Sequence, residues 1–187
     1  MLFRSGFTDA HIYPLVPDVA EARRLAGRKR RRVVLYTCSD SQCKEGAQIV
    51  KTNLAAIGMD VVVKTFRPKT LFDLMKKPGE PFDIAASGWE ADYPDPSQFL
   101  NLQLSAASQP SFDDPAFKSR LAKAARLSGP VRYITYGKLD VDLARNGAPW
   151  VAIGSTLSRD FFSARVGCQV FQPAYGFMDL GALCIRK

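Results

Sequence analysis

Between residues 32 and 87, three short apolar runs alternate with two stretches of helical spacing, and this alternation limits the fold more than any other feature. Arg32-Val33-Val34-Leu35-Tyr36-Thr37 is β-branched and aromatic, as a strand requires. Ser41 to Ile57 places Ala47, Val50, Leu54 and Ile57 on one helical face, and Gly58 stops it. Asp60 to Phe66, with Val61-Val62-Val63, predicts a second strand. Thr70 to Lys76 predicts a short helix ended by Pro78-Gly79, and Phe82 to Ser87 a third strand. Such an order favours an α/β fold in which parallel strand pairs carry helices on their faces. Right-handed crossovers put the loops that follow the strands along one edge, and open α/β sheets bind ligands there. The loop after the third strand, Gly88 to Pro96, is therefore the first place to look for a site.

Upstream, Asp18-Val19-Ala20-Glu21 predicts a helix start. Asp18 accepts from the first free amides and Glu21 reaches back as in a capping box. Val19, Ala22 and Leu25 are spaced for one face, and Gly27 ends the helix. Downstream, Asp113-Asp114-Pro115 predicts another helix, an Asp cap followed by Pro at the first helical position. Phe117, Leu121 and Ala124 share its face, and Gly129-Pro130 breaks it. Val131 to Arg145 predicts a helix with Ile134, Leu139 and Leu143 apolar and Asn146-Gly147 as its stop. Trp150-Val151-Ala152-Ile153 and Phe161-Phe162 read as short strands.

Several function classes fall away on composition. No apolar run approaches the roughly 20 residues that cross a bilayer. A single histidine, His11, rules out a multi-His metal centre and any mechanism that needs two histidines; His11 itself reads as a surface residue. No cofactor is expected. The net charge is +8, of which Arg28-Lys29-Arg30-Arg31-Arg32 supplies a large share. A basic run of this kind can bind phosphate backbones. It is equally a solvated turn before a strand, and no interleaved aromatic residue or recognition motif accompanies it. A nucleic-acid-associated module is kept as the rival, although no nucleic-acid partner is expected.

The Gly88–Pro96 loop is the richest in chemistry. Two prolines and a glycine stiffen Gly88-Trp89-Glu90-Ala91-Asp92-Tyr93-Pro94-Asp95-Pro96. Trp89 and Tyr93 offer flat apolar faces with a polar edge. Glu90, Asp92 and Asp95 bring three carboxylates within six positions. A pocket for an ammonium group wants this mixture, a carboxylate for the charge and a ring to exclude water and add cation–π attraction. A polar surface turn with Trp89 packed inward would have the same composition.

Phe82-Asp83-Ile84-Ala85-Ala86-Ser87-Gly88-Trp89-Glu90-Ala91-Asp92-Tyr93-Pro94-Asp95-Pro96, followed by Phe99-Leu100, resembles the signature stretch of the family 5 extracellular solute-binding proteins, the peptide receptors of ABC importers. Tyr13-Pro14-Leu15, Ala47-Gln48-Ile49-Val50, Ile57-Gly58-Met59-Asp60-Val61, Asp113-Asp114-Pro115, Arg132-Tyr133 and Pro149-Trp150 fit the family's pattern in the same order. The resemblance implies a periplasmic-binding-protein-like lobe of type II, a mixed sheet flanked by helices, left incomplete in a fragment. It implies residues 10–160 as part of the second of two lobes, and residues 161–187 as a tail returning toward the first. It further implies no enzymatic activity, an extracytoplasmic location, importer permease subunits as partners, a monomer, and a peptide or related solute as ligand. Nickel and sugars are the alternatives on the same scaffold. Asp92 is expected to pair with the ligand's α-ammonium, Trp89 to line a side-chain pocket, and Tyr93 to add a wall.

Residues 1–9 are expected to be disordered or artefactual, because Leu2-Phe3-Arg4-Ser5 looks like translated sequencing adapter. Met1 to Ala10 lacks the features of a secretory signal, which fits a chain whose natural start lies further upstream. The cysteines point to an oxidising compartment. Cys38 and Cys43 have four residues between them, too many for a thioredoxin-type pair and poor as a zinc half-site. Disulfides Cys38–Cys43 and Cys168–Cys184 are expected on proximity in sequence, although four cysteines allow three pairings and free buried thiols are the alternative.

Overall fold

The computed structural model describes residues 12–14, 16–27, 29, 31–104, 112–154, 159–172 and 176–186. His11, Arg28, Arg30 and residues 1–9 lie outside them, as do the expectations placed there. The chain forms two compact units, Tyr13–Gly88 and a second made chiefly of Trp89–Leu104 and Asp114–Lys187.

The first unit holds the expected alternation. It runs α1 (Val19–Ala26), β1 (Arg31–Cys38), α2 (Ser41–Ala56), β2 (Met59–Phe66), α3 (Pro68–Met75) and β3 (Ile84–Ala85). The strands form one sheet in the order β2-β1-β3, parallel throughout. β1 is central, so both its edges are paired, and helices cover both its faces. Val33 and Leu35 pack with Ala47 and Val61, backed by Val50 and Leu54 of α2. Tyr36 and Cys38 point the other way and pack with Leu71 of α3, Phe66 and Phe82. The period of two along β1 thus assigns one helix to each face. Tyr36, 2 % exposed, still satisfies its hydroxyl by donating to Glu80 Oε1 at 3.0 Å.

Two local readings change. Glu21 does not close a capping box: its carboxylate takes both hydrogen bonds of Arg24, at 2.6 Å each, while Asp18 caps the Glu21 amide alone. A charge-assisted fork one turn away outcompetes a reach back to a backbone amide. The third strand is two residues long, not six. The Asp83 carboxylate accepts from the Val34 amide at 2.7 Å, so a side chain takes a donor that a longer backbone ladder would have used.

The second unit is helical, then ribbon-like. It contains α4 (Ser97–Gln103), α5 (Pro115–Ala125) and α6 (Gly129–Asp142), the last continuing into a π turn at Leu143–Gly147. Asp114 caps α5 through the Phe117 amide at 2.8 Å. Phe117, Leu121 and Ala124 are buried as their spacing predicts. On α6 the inward residues include Tyr136, Leu139 and Leu143, whereas Ile134 is exposed. Gly129-Pro130 opens α6, after α5 has already ended at Ala125. A further helix begins at Ser97: Asp95 Oδ1 accepts the Ser97 amide at 2.9 Å, and the Pro96 carbonyl accepts from the Leu100 amide at 3.2 Å.

Trp150–Ile153 and Phe161-Phe162 form no strand, because no ladder partner lies beside them among the described residues; Ile153 and Phe161 are largely exposed. The tail pairs β4 (Val166–Gly167) with β7 (Cys184–Ile185) and β5 (Phe171–Gln172) with β6 (Phe177–Met178), both antiparallel. A Cβ at Gly167 would sit 3.0 Å from Arg186 side-chain atoms and 3.3 Å from Cys184 Sγ, so a larger residue there has to displace that arginine.

Candidate functional site

The chain leaves β3 and enters the second unit at Trp89. From there to α4 it is a turn built on its own polar groups. The Asp95 amide donates to the Tyr93 carbonyl at 2.8 Å, and the Gln98 amide donates to the Asp95 carbonyl at 3.1 Å. The Asp92 amide donates to Oε1 of Gln98, a buried side chain, at 3.3 Å. Asp95 Oδ1 accepts the Ser97 amide at 2.9 Å and so caps the start of α4. Ala91 and Pro96 are buried, which sets the turn's inner side; Glu90, Asp92 and Tyr93 are exposed on its outer side.

The three carboxylates have different fates. Arg132 forks onto Asp95, Nε to Oδ2 at 2.8 Å and Nη2 to Oδ1 at 2.6 Å. Its remaining nitrogen, Nη1, donates to the carbonyls of Ala124, Ala125 and Leu127 at 3.2, 2.8 and 3.2 Å. These carbonyls lie at and just beyond the end of α5, where the regular helical ladder stops; the Ala124 carbonyl also accepts the Leu127 amide at 3.1 Å. The guanidinium also lies over the Tyr136 ring, 5.0 Å from its centroid, and the Tyr136 hydroxyl donates to Asn101 Oδ1 at 2.6 Å. The Arg132 guanidinium, helped by the Ser97 contacts and opposed by burial, lowers the Asp95 carboxyl to about 2. The same pair raises Arg132 further, and burial pushes the Tyr136 phenol up. Asp95 is therefore a bound structural anion.

Asp92 and Glu90 differ from Asp95. Among the described residues neither carboxylate has a hydrogen-bond or ion-pair partner. Arg132 neutralises Asp95. Trp89 is half-buried and its indole Nε1 is shielded from solvent without an acceptor among the described residues. Trp89, Asp92 and Tyr93 thus share one braced turn, with a free anion between two rings in sequence. A cavity of about 520 Å³ in this unit lies elsewhere, lined by Arg159, Asp160, Phe161, Phe162, Phe177, Met178 and Leu180. Arg132 was not singled out for a role at the turn: it is 37 residues from Asp95, and no local spacing links them.

The remaining motifs carry less chemistry. Cys38 is bonded to Cys43 and Cys168 to Cys184, each pair with Cα atoms 5.4 Å apart. The first staple joins the end of β1 to the first turn of α2, and the second ties β7 to the residue after β4. Asp40 lies within 4.8 Å of both sulfurs of the first pair, but disulfide sulfurs are not thiolates and give a metal no such ligand. Lys29, Arg31 and Arg32 of the basic run are exposed, the last two opening β1. Among the described residues no helix is long and apolar enough to cross a membrane.

Residues 9–111, more than half of the chain, match the family described as "Bacterial extracellular solute-binding proteins, family 5 Middle". The periplasmic oligopeptide-binding protein OppA of Escherichia coli is 30% identical over 133 residues, 70% of this chain and 24% of its own length. OppA of Salmonella typhimurium is 29% identical over the same span. The chain thus spans about a quarter of the length of these curated relatives. Among solved structures, the periplasmic binding protein DppA from Helicobacter pylori, in complex with the peptide STSA, is 26% identical. Its TM-score is 0.53 over 65% of this chain and 25% of that one. Clavulanic acid biosynthesis oligopeptide binding protein 2 shares the fold more fully, with a TM-score of 0.76 over 97% of this chain and 36% of that one, at 21% identity.

Proposed function

The chain belongs to the bacterial extracellular solute-binding proteins of family 5, and we propose that it is part of a receptor that captures peptides outside the cytoplasm and delivers them to an ABC importer. The relatives named above are oligopeptide- and peptide-binding proteins, which supports peptides over nickel or sugars. In this reading residues 10–160 are part of one lobe of a two-lobe binder, and residues 161–187 return toward the other. The permease subunits of the importer are the partners, and the receptor works as a monomer.

The reading of the site is carried by one observation. Among the described residues the Asp92 carboxylate has no hydrogen-bond or ion-pair partner, on a turn whose other aspartate is neutralised by Arg132. A free carboxylate held by its backbone is a ready acceptor for an α-ammonium, and Trp89 and Tyr93 supply rings that exclude water from the pair. The ammonium–carboxylate contact fixes the ligand's register, while contacts to the peptide backbone leave side chains unread and specificity broad. No bond is made or broken. Ligand binding shifts a hinge equilibrium toward a closed form by favouring it over the open one.

The test is calorimetric titration of the full-length gene product with free-amine and N-acetylated peptides. Asp92→Asn is expected to weaken the free-amine peptide by about 10- to 100-fold, corresponding to about 1.4–2.7 kcal/mol, within the range of a charge-assisted contact. The acetylated peptide should be hardly affected. Equal losses for both peptides would remove the ammonium role from Asp92.

A further inference from the structure

Asp92 sits on a turn that is short, exposed and proline-rich, yet its backbone is held on both sides. Its amide is held by Gln98, and the carbonyl of Tyr93, the next residue, is held by the Asp95 amide. What fixes Asp95 is Arg132, which engages both carboxylate oxygens and is itself held by three carbonyls of the α5 end and the Tyr136 ring. The two side chains are 20 % and 15 % exposed, and their polar atoms face each other and the helix end. This arrangement joins the turn to α5 and α6, which are rigid elements, through a planar fork that a lysine cannot reproduce.

We propose that Asp95 and Arg132 are positioning residues for ligand capture: they touch no ligand but hold Asp92 where an incoming ammonium meets a carboxylate already in place. The proposal rests on the ammonium reading of Asp92. Its physical basis is preorganisation. A carboxylate on a loose turn loses conformational freedom when it pairs, and that loss is subtracted from affinity. A braced turn has lost it on folding. The brace should therefore act on the part of the affinity that depends on the free amine, and leave the rest of the ligand's contacts alone.

The readout is the ratio of dissociation constants for N-acetyl-trialanine and trialanine, measured by calorimetry on the full-length gene product. Asp95→Asn and Arg132→Lys are each expected to lower this ratio about three- to tenfold, while the acetylated peptide's own constant moves less than about twofold. In an Asp92→Asn background neither change should lower the ratio further, because nothing remains to be positioned. A ratio that Asp92→Asn collapses but Asp95→Asn and Arg132→Lys leave intact overturns the brace and spares the role of Asp92. Parallel loss of both peptides in the brace variants also overturns it, as the sign of a purely structural pair. A ratio insensitive to Asp92→Asn, or an unaltered protein that binds neither peptide, sinks the parent reading and the brace with it, in a pattern distinct from the others. If Asp95→Asn fails to fold, Arg132→Lys and Gln98→Met, which removes the acceptor for the Asp92 amide, decide the question by the same ratio.

Discussion

Replacing Asp95 by Asn should change the protein's stability in a way that depends on pH. In the folded state the carboxyl titrates at about 2, against an ordinary value of 3.8, chiefly because Arg132 hydrogen-bonds it. A depressed carboxyl stabilises the fold above its unfolded value, and the contribution disappears as pH falls through the folded one. The window is therefore from about 4 down to about 2. At full strength a shift of this size corresponds to about 2.4 kcal/mol. The pair keeps 15 % and 20 % of its side-chain surface in solvent, so screening reduces the expected effect to about 1–2 kcal/mol. Urea unfolding followed by circular dichroism, at intervals between pH 7 and pH 2, measures it. The gap between the unaltered protein and Asp95→Asn should be constant from pH 7 to about 5, then close as pH approaches 2. Glu21, Glu80 and Asp142 are also lowered by their partners, but they are common to both proteins and cancel in the difference. A gap that does not change with pH, or that widens in acid, refutes the assignment of Asp95 as a neutralised structural anion.

Other expectations follow from the same structure. Breaking Cys168–Cys184, which closes a separation of 16 residues, should cost about 3 kcal/mol in denaturant unfolding, whereas breaking Cys38–Cys43, with a separation of 5, should cost about 2 kcal/mol or less. Double Ser variants of each pair give the comparison, and the reverse order would contradict the loop-closure argument. Tyr36→Phe removes the hydroxyl that reaches Glu80 but leaves the ring against Phe66 and Phe82. It should cost about 1 kcal/mol, because Glu80 keeps Lys77 at 3.2 Å. A loss above about 3 kcal/mol in thermal unfolding would mean that the hydroxyl anchors more than this contact.

The sheet of the first unit could be read from sequence because its signals are local. Val33 and Leu35 alternate with Tyr36 and Cys38 in a period that needs no partner to be visible, and Gly58 ends α2 where a chain must turn. Asp18 and Asp114 likewise declare themselves as caps within three residues of the amides they accept. What stayed hidden depends on residues far apart in the chain. The third strand is short because Asp83 reaches Val34, 49 positions away. The apolar runs at Trp150 and Phe161 have strand composition but gain no ladder among the described residues, so composition misled. At the site, the turn, its rings and its carboxylates are legible in one stretch of nine residues. Which carboxylate is free is not, since Glu90, Asp92 and Asp95 look alike until Arg132 arrives from α6.

The proposed role of Asp92 is to receive the ligand's amino terminus. The most direct measurement is a crystal structure of the full-length gene product with a bound free-amine peptide. The ammonium nitrogen should lie about 2.7–3.2 Å from an Asp92 carboxylate oxygen, with Arg132 still forked onto Asp95. An ammonium seated on Glu90, or one that displaces Arg132 to reach Asp95 while Asp92 faces solvent, contradicts it.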